Sequence, residues 1–359
     1  MNVTWDWDKE GRKHCESSGW PQKDSAEHES YAGALTDSRI AENNITNADR
    51  TEDGLLEEIL APNNLNQAYR RVKRNRGAGG VDGMQVEALW QYLKDNGKEI
   101  RQSILDGKYR PKPVLRVEIP KEDGKKRKLG IPTAADRVIQ QAIAQVLTPI
   151  YESQFSDNSY GFRPGRSAHD AIRECQRNIC EGYKYVVDMD LEKFFDTVNQ
   201  SKLIEVLSRS IKDGRVISLI HKYLRAGVVT RMGRYEETER GVPQGGPLSP
   251  LCGNIILNEL DWELVRRGHR FVRYADDMLI FCKSKRAAER TLENLIPFIE
   301  RKLFLKVNKE KTAIAYVGKV KFLGYGFYIN KDKAVRLRIH PKSVAKMKTK
   351  VRLITSRSN

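Results

Sequence analysis

Cysteine is scarce in this sequence. Five occur in 359 residues, at positions 15, 175, 180, 252 and 282. Their spacing carries neither a paired metal-ligand pattern nor a disulfide framework, which argues against zinc and for buried free thiols in a reducing compartment. Long apolar runs are missing as well. None approaches the ~20 residues that a membrane-spanning helix needs. The first residues, Met1-Asn-Val-Thr-Trp-Asp6, lack the basic and apolar regions of a signal peptide. A cytoplasmic protein with no membrane partner is the expectation. The glycine-dense run Arg76-Gly-Ala-Gly-Gly-Val-Asp-Gly83 has no Lys-Ser/Thr ending and follows no strand, so it is not a nucleotide P-loop. No internal repeat is present.

What the chain has in abundance is positive charge. Lysine and arginine number 64 against 47 acidic residues, a net charge of +17. The excess is uneven. Residues 1–60 hold six basic and fourteen acidic side chains, which leaves about +25 on the rest. From Lys331 onward there are ten basic residues and one acidic. A body this basic points to a polyanionic partner, nucleic acid before a small acidic metabolite.

Hydrophobic periodicity organises the chain as α+β. Residues 1–50 are polar and read as a poorly ordered leader. Helical spacing then runs from Glu52 to Arg74, broken at Pro62, and again over Val86–Leu105, Asp136–Tyr151, Ala168–Glu181, 201–226, Leu248–Arg266 and Ala287–Leu303. Val114–Ile119 and Lys126–Ile131 read as a hairpin about the turn signal Glu122-Asp-Gly124. Lys184–Asp190 reads as a strand, Val228–Tyr235 with Glu237–Val242 as a further β pair, and Lys319–Ile329 as a late β segment. The architecture expected is an antiparallel sheet with helices packed on one face.

Two acidic sets stand at the ends of apolar strands. Phe271-Val-Arg-Tyr-Ala-Asp-Asp-Met-Leu-Ile-Phe-Cys282 reads as a β-hairpin with Asp276 and Asp277 at its tip. Tyr185-Val-Val-Asp-Met-Asp190 places Asp188 and Asp190 two residues apart, hence on one side of a strand. Crowded carboxylates must take up protons or meet a cation, and Mg²⁺ prefers oxygen ligands while keeping positions open for phosphate oxygens. If the two strands are neighbours, the carboxylates converge and suit a pair of metal ions for phosphoryl displacement. Solvated turn aspartates are the plainer reading of either set alone. Between these sets, Arg240-Gly-Val-Pro-Gln-Gly-Gly-Pro-Leu-Ser-Pro250 crowds three glycines and three prolines around the amide of Gln244, where a backbone can approach a substrate closely.

Asp190 to Phe195, Pro243-Gln-Gly-Gly-Pro-Leu-Ser-Pro250 and Tyr274-Ala-Asp-Asp277 follow the order and spacing of a reverse transcriptase palm. Gly161-Phe-Arg-Pro-Gly-Arg-Ser-Ala-His-Asp170 and Ile119-Pro-Lys121 with Arg127-Lys-Leu-Gly-Ile-Pro132 resemble, more particularly, group II intron-encoded proteins. The resemblance covers roughly residues 52–359. It implies the fingers and palm of a right-hand polymerase. Residues 51–93 then form an N-terminal extension and first fingers motif, 94–330 the fingers and palm, and 331–359 the basic start of a thumb. The activity implied is RNA-directed DNA synthesis from a DNA or RNA primer and dNTPs, on a template or structured intron RNA.

Carried onto this sequence, the resemblance implies two Mg²⁺ ions, with Mn²⁺ as an alternative, held by Asp190, Leu191, Asp276 and Asp277. Asp188 and Asp196 are left as structural or supporting residues. Phe195 is implied as the steric gate against a 2′-hydroxyl, Tyr274 as a neighbour of the primer end and Gln244 as a contact to nucleotide or template. Lys121 and Arg127 resemble the pair that clamps the triphosphate, with Lys125, Lys126 and Lys128 as rivals. Lys311 matches a late lysine that protonates the departing pyrophosphate, and Phe322-Leu-Gly-Tyr-Gly-Phe327 resembles a primer grip. Arg163 and Arg166 are implied near template or the palm–fingers junction, with a structural role for His169. No His-Asn-His-like or cysteine-rich nuclease signature is present. Two other readings stay open: an RNA-binding maturase scaffold, and a retron or phage-defence reverse transcriptase, which the runs at 161–170 and 119–132 oppose. Oligomeric state is not set by the sequence, and a dimer is compatible with it.

Overall fold

Alternation of apolar residues in Tyr185–Met189, Arg270–Tyr274 and Asp277–Cys282 is realised as three adjoining strands in a computed structural model of the protein, which describes residues 54–120, 126–332 and 334–356. The leader 1–50, the turn Glu122-Asp-Gly124 and Lys121 lie outside the described residues. The chain divides into two compact units, Met1–Gln154 with Phe195–Ile255, and Phe155–Phe194 with Ile256–Asn359.

The first unit is built around the helix Ala134–Glu152. Alanine, isoleucine and valine occupy every side of it, and fourteen of its residues are buried; a helix apolar all round belongs inside a core. Thr133 caps it, its hydroxyl accepting from the Asp136 amide at 3.1 Å. The helix Pro62–Arg74 lies against it with Leu65, Ala68, Tyr69 and Val72 inward. The unit's sheet runs in the order Lys126–Ile131, Val114–Pro120, Val228–Val229, Tyr235–Glu236. Its first pair is antiparallel and sets Ile119 opposite Arg127.

The β pair expected over Val228–Tyr235 and Glu237–Val242 is corrected by the structure. A turn at Thr230–Arg234, with Gly233 at φ 79°, closes the hairpin early, so Val229 pairs with Tyr235. Residues 237–242 form no strand. The amides of Gly241 and Val242 donate instead to the carbonyls of Val198 and Phe195, both at 2.7 Å.

The second unit carries a four-stranded, wholly antiparallel sheet in the order Arg270–Tyr274, Asp277–Cys282, Tyr185–Met189, Ala313–Tyr316. With a side-chain period of two, Val186, Leu279 and Phe281 share one face. They join a buried cluster with Ala171, Ile172, Cys175 and Ile179 of the helix Ala168–Cys180. The other face, with Ile280 and Cys282, meets the helix Lys285–Arg301, where Cys282 Sγ lies 3.8 Å from Thr291 Oγ1. The α+β class and its antiparallel sheet are thus as expected, with helices found against both faces.

A second sheet of three strands, Lys321–Phe322, Tyr325–Ile329 and Val335–Ile339, follows in this unit. Leu323 and Gly324, both at positive φ, form its tight turn. The helix Pro341–Thr355 closes the described chain and buries none of its residues. No helix among the described residues is long and apolar enough to cross a membrane.

Candidate active site

The register of the second unit's sheet gathers the acidic residues. Tyr185–Met189 pairs with Asp277–Cys282 so that Met189 faces Met278 and Asp188 faces Leu279. Asp188, Asp190, Asp276 and Asp277 therefore stand at one end of two neighbouring strands. Their charges feel one another. Burial first, and then the Asp190 carboxylate, push Asp188 up to about 6. Asp277 is accessible to solvent, yet protein packs around its carboxyl group. That enclosure, followed by the charges of Asp276, Asp188 and Asp190, pushes it up to about 7 against the lowering effect of Lys311.

Asp190 is the most firmly held of the four. Its amide donates to Thr312 Oγ1 at 3.2 Å. Its carbonyl accepts from the Asn308 amide at 2.9 Å, and Asn308 Nδ2 donates to Oδ1 at 2.9 Å. Lys311 Nζ stands 3.6 Å from Oδ2 on a side chain that is 55% exposed. Asn308 also shapes the turn that carries the lysine, since its carbonyl accepts from the amides of Lys311 and Thr312 and its Oδ1 from Glu310. Leu191 follows as a buried residue bridged to Val307.

The hairpin tip is unusual. Tyr274 pairs with Asp277, leaving Ala275 and Asp276 as the two central residues. Ala275 sits at φ 56°, a left-handed conformation that favours glycine. Its carbonyl accepts from Arg273 Nη1 at 2.9 Å, and Arg273 is paired with Asp261, both fully buried. Tyr274 is half-buried, and burial raises its hydroxyl pKa.

The other expected contacts lie in the first unit, where two of them meet. Arg127 Nε donates to Gln244 Oε1 at 3.0 Å, and the Gly130 amide donates to the Gln244 carbonyl at 2.6 Å. Gly245, at φ 121°, allows this approach: a Cβ there would fall 2.5 Å from the Gly130 carbonyl oxygen. Ser249 closes the loop by donating to the Pro243 carbonyl at 2.5 Å. Phe195 is buried in this unit, its carbonyl accepting from Val242. Lys121 lies outside the described residues. Lys126, one of its rivals, is engaged with Glu118 at 2.8 Å.

Residues 119–327 match the family model described as reverse transcriptase (RNA-dependent DNA polymerase). The chain belongs to the reverse transcriptase family. Among its relatives, Protein YkfC of Escherichia coli is 34% identical over 326 residues, covering 79% of this chain and 85% of that protein. The group II intron-encoded protein LtrA of Lactococcus lactis is 32% identical over 364 residues, covering 83% of this chain and 60% of that one. An apo telomerase structure from Candida tropicalis shares the fold at a TM-score of 0.51 and 14% identity, over 71% of this chain and 54% of that one.

Reverse transcriptases work with divalent metal ions, and the residues of this reverse transcriptase fit one. Among the described residues, no three acidic, histidine or cysteine side chains are gathered closely enough to hold a metal ion as they stand. The donors are nonetheless all oxygens, as a hard cation requires. Burial, and after it their mutual repulsion, raise Asp188 to about 6 and Asp277 to about 7. A bound cation relieves that repulsion, and an open ligand set leaves coordination positions for phosphate.

Proposed function

We propose that this protein is an RNA-directed DNA polymerase of the group II intron-encoded type, extending a primer 3′-hydroxyl with deoxynucleotides on an RNA template. The observation that carries the reading is the meeting of Asp188, Asp190, Asp276 and Asp277 at one end of adjacent strands, with Lys311 beside Asp190. The intron type rests on the runs at 119–132 and 161–170 and on the likeness to LtrA.

In this reading the 3′-oxygen attacks the α-phosphorus, and the bond to the bridging oxygen of pyrophosphate breaks. Asp190, Asp276 and Asp277, with Leu191 next to Asp190, hold two Mg²⁺ ions, or Mn²⁺ in their place. When bound, these supply charge stabilisation for the attacking and leaving oxygens. Asp188 supports the set from within the strand. Lys311, half-exposed beside Asp190, gives a proton to the departing pyrophosphate. Arg127, together with Lys121, binds the triphosphate, and Gln244 contacts the incoming nucleotide or the template. Phe195 excludes a 2′-hydroxyl by its bulk, and Tyr274 packs near the primer end. The net charge of +17 suits a template and a structured intron RNA, bound through phosphates.

Primer extension on an annealed RNA template, with dNTPs or rNTPs and an Asp276→Asn control, tests this. Extension with dNTPs that the substitution abolishes is the expected result. Full extension by Asp276→Asn overturns the reading. A second reading, RNA binding in aid of splicing, is favoured by the basic helix Pro341–Thr355, none of whose residues is buried. It coexists with polymerisation, and splicing help that survives Asp276→Asn separates the two.

A further inference from the structure

A buried ion pair sits directly beneath the acidic hairpin tip, and stability does not account for it. Arg273 and Asp261 are both fully buried. Arg273 Nε donates to Asp261 Oδ1 at 2.8 Å and Nη2 to Oδ2 at 2.5 Å, a forked pairing. Taking two such charges out of water costs about as much as their attraction returns, and apolar residues of similar volume often serve stability as well. What apolar residues cannot do is what Nη1 does here, donating to the Ala275 carbonyl at 2.9 Å.

Ala275 needs such a hold. Its φ of 56° costs an L-residue about 1 kcal/mol or more. A second restraint comes from the segment before the helix Ala168–Cys180. Arg273 N donates to the Asn158 carbonyl and Tyr160 N to the Arg273 carbonyl, each at 2.9 Å. This contact brings the Gly161 backbone against the tip. A Cβ on Gly161 would fall 2.3 Å from Ala275 N and 2.9 Å from Tyr274 C. The tip is thus gripped from below by a guanidinium and from the side by a glycine.

We propose that Arg273 is a positioning residue for Asp276 and Asp277. Oriented by Asp261, and with Gly161 completing the grip, it fixes the strained Ala275 turn in the conformation that presents both carboxylates to metal. The inference rests on the reading of those carboxylates as metal-holding groups. It explains why a fully buried arginine stands two residues before Ala275, and why residue 161 in the Gly-Phe-Arg-Pro-Gly run lacks a side chain.

The test uses the full chain with Arg273→Lys, Gly161→Ala, and Arg273→Lys combined with Ala275→Gly. Lysine keeps a charge for Asp261 but cannot reach Ala275 with the same fork. The readouts are Mn²⁺ binding by electron paramagnetic resonance without substrate, and kcat and KM for dNTP in primer extension. Arg273→Lys is expected to weaken Mn²⁺ binding and lower kcat by about 10- to 100-fold, with KM nearly unchanged. Adding Ala275→Gly is expected to restore part of both, because glycine adopts φ 56° without strain. Gly161→Ala leaves the ion pair in place and is expected to show the same pattern, which decides the matter if Arg273→Lys does not fold. A folded Arg273→Lys that melts earlier but binds Mn²⁺ and turns over like the parent overturns the proposal, as does an absence of rescue by Ala275→Gly. If the parent protein binds no Mn²⁺ and Asp276→Asn keeps its extension, the metal reading itself has failed, a different outcome.

Discussion

The two units hold their polar groups in contrasting ways. In the second, Asp190 is tied by amide, carbonyl and carboxylate to Asn308 and Thr312, and the Asp276–Asp277 tip rests on a fully buried ion pair. In the first, Arg127 is an exposed side chain on an outer strand, joined to Gln244 by one side-chain bond, and only the backbone of the glutamine loop is firmly fixed at Gly130. Groups that must meet a cation in a set geometry gain from rigid support, because a shift of an ångström forfeits much of the effect. Groups that receive and release a nucleotide at every step gain from partners they can exchange. On the proposed reading the Arg127–Gln244 bond is such a partner, open to replacement by the polar atoms of a nucleotide.

The largest effect should come from the rigid side. Asp190→Asn keeps the shape and the Asn308 contact in altered form but removes the charge. Single-turnover extension should fall by about a thousandfold or more, with melting little changed. Loss below about tenfold would mean that rigidity there serves folding rather than chemistry. On the first unit, Phe195→Ala should raise rNTP incorporation relative to dNTP by about 10- to 100-fold, the range of discrimination by pocket shape. An unchanged ratio would remove Phe195 as the gate. Smaller again is the contrast between loop and side chain at Gln244. Gly245→Ala, which drives a Cβ toward the Gly130 carbonyl, should raise KM for dNTP by about tenfold or more, and Gln244→Ala by less. The reverse order would show that the amide, rather than the loop's seat on Gly130, carries the contact.

Much of this site was legible in the sequence because its signals are local. Asp190 and the Asp276–Asp277 pair each end an apolar run, and the glycines around Gln244, read as room for a substrate, are seen at Gly245 to admit the Gly130 backbone instead. What was not legible depends on pairing across long stretches of chain. Nothing in the sequence says that Asn308 braces Asp190, 118 residues away, although asparagine before Lys-Glu-Lys is a turn signal. The Arg273–Asp261 pair was invisible for a different reason: on a strand and a helix, both charges read as surface residues until burial is known. The strand Val335–Ile339 does carry a signal, the alternation Val-Arg-Leu-Arg-Ile, but its positive charge fits a solvated basic tail equally well. Glu237–Val242 failed the opposite way, since its backbone bonds go to the Phe195–Val198 segment instead of a neighbouring strand.

The smallest expected effect concerns the protein without metal. Asp277 titrates near 7 and Asp188 near 6 in the folded state, both above the usual carboxylate range that the unfolded chain shows. The folded protein therefore holds more protons than the unfolded one between about pH 4 and pH 7, and stability falls as pH rises through that window. Because Asp277 is reached by solvent, the contribution is screened, and about 1 kcal/mol is the scale to expect. Urea midpoints in EDTA should accordingly drop from pH 5 to pH 8 more steeply for the parent protein than for Asp277→Asn, where the titrating group is gone. Adding Mg²⁺ at pH 8 should recover the difference in the parent alone, since a cation takes over what protons did at lower pH. Parallel curves for the two proteins would mean that neither burial nor the neighbouring carboxylates raise Asp277. The contrast between a rigid charged site and the adaptable contacts proposed for the nucleotide would then lose its electrostatic half.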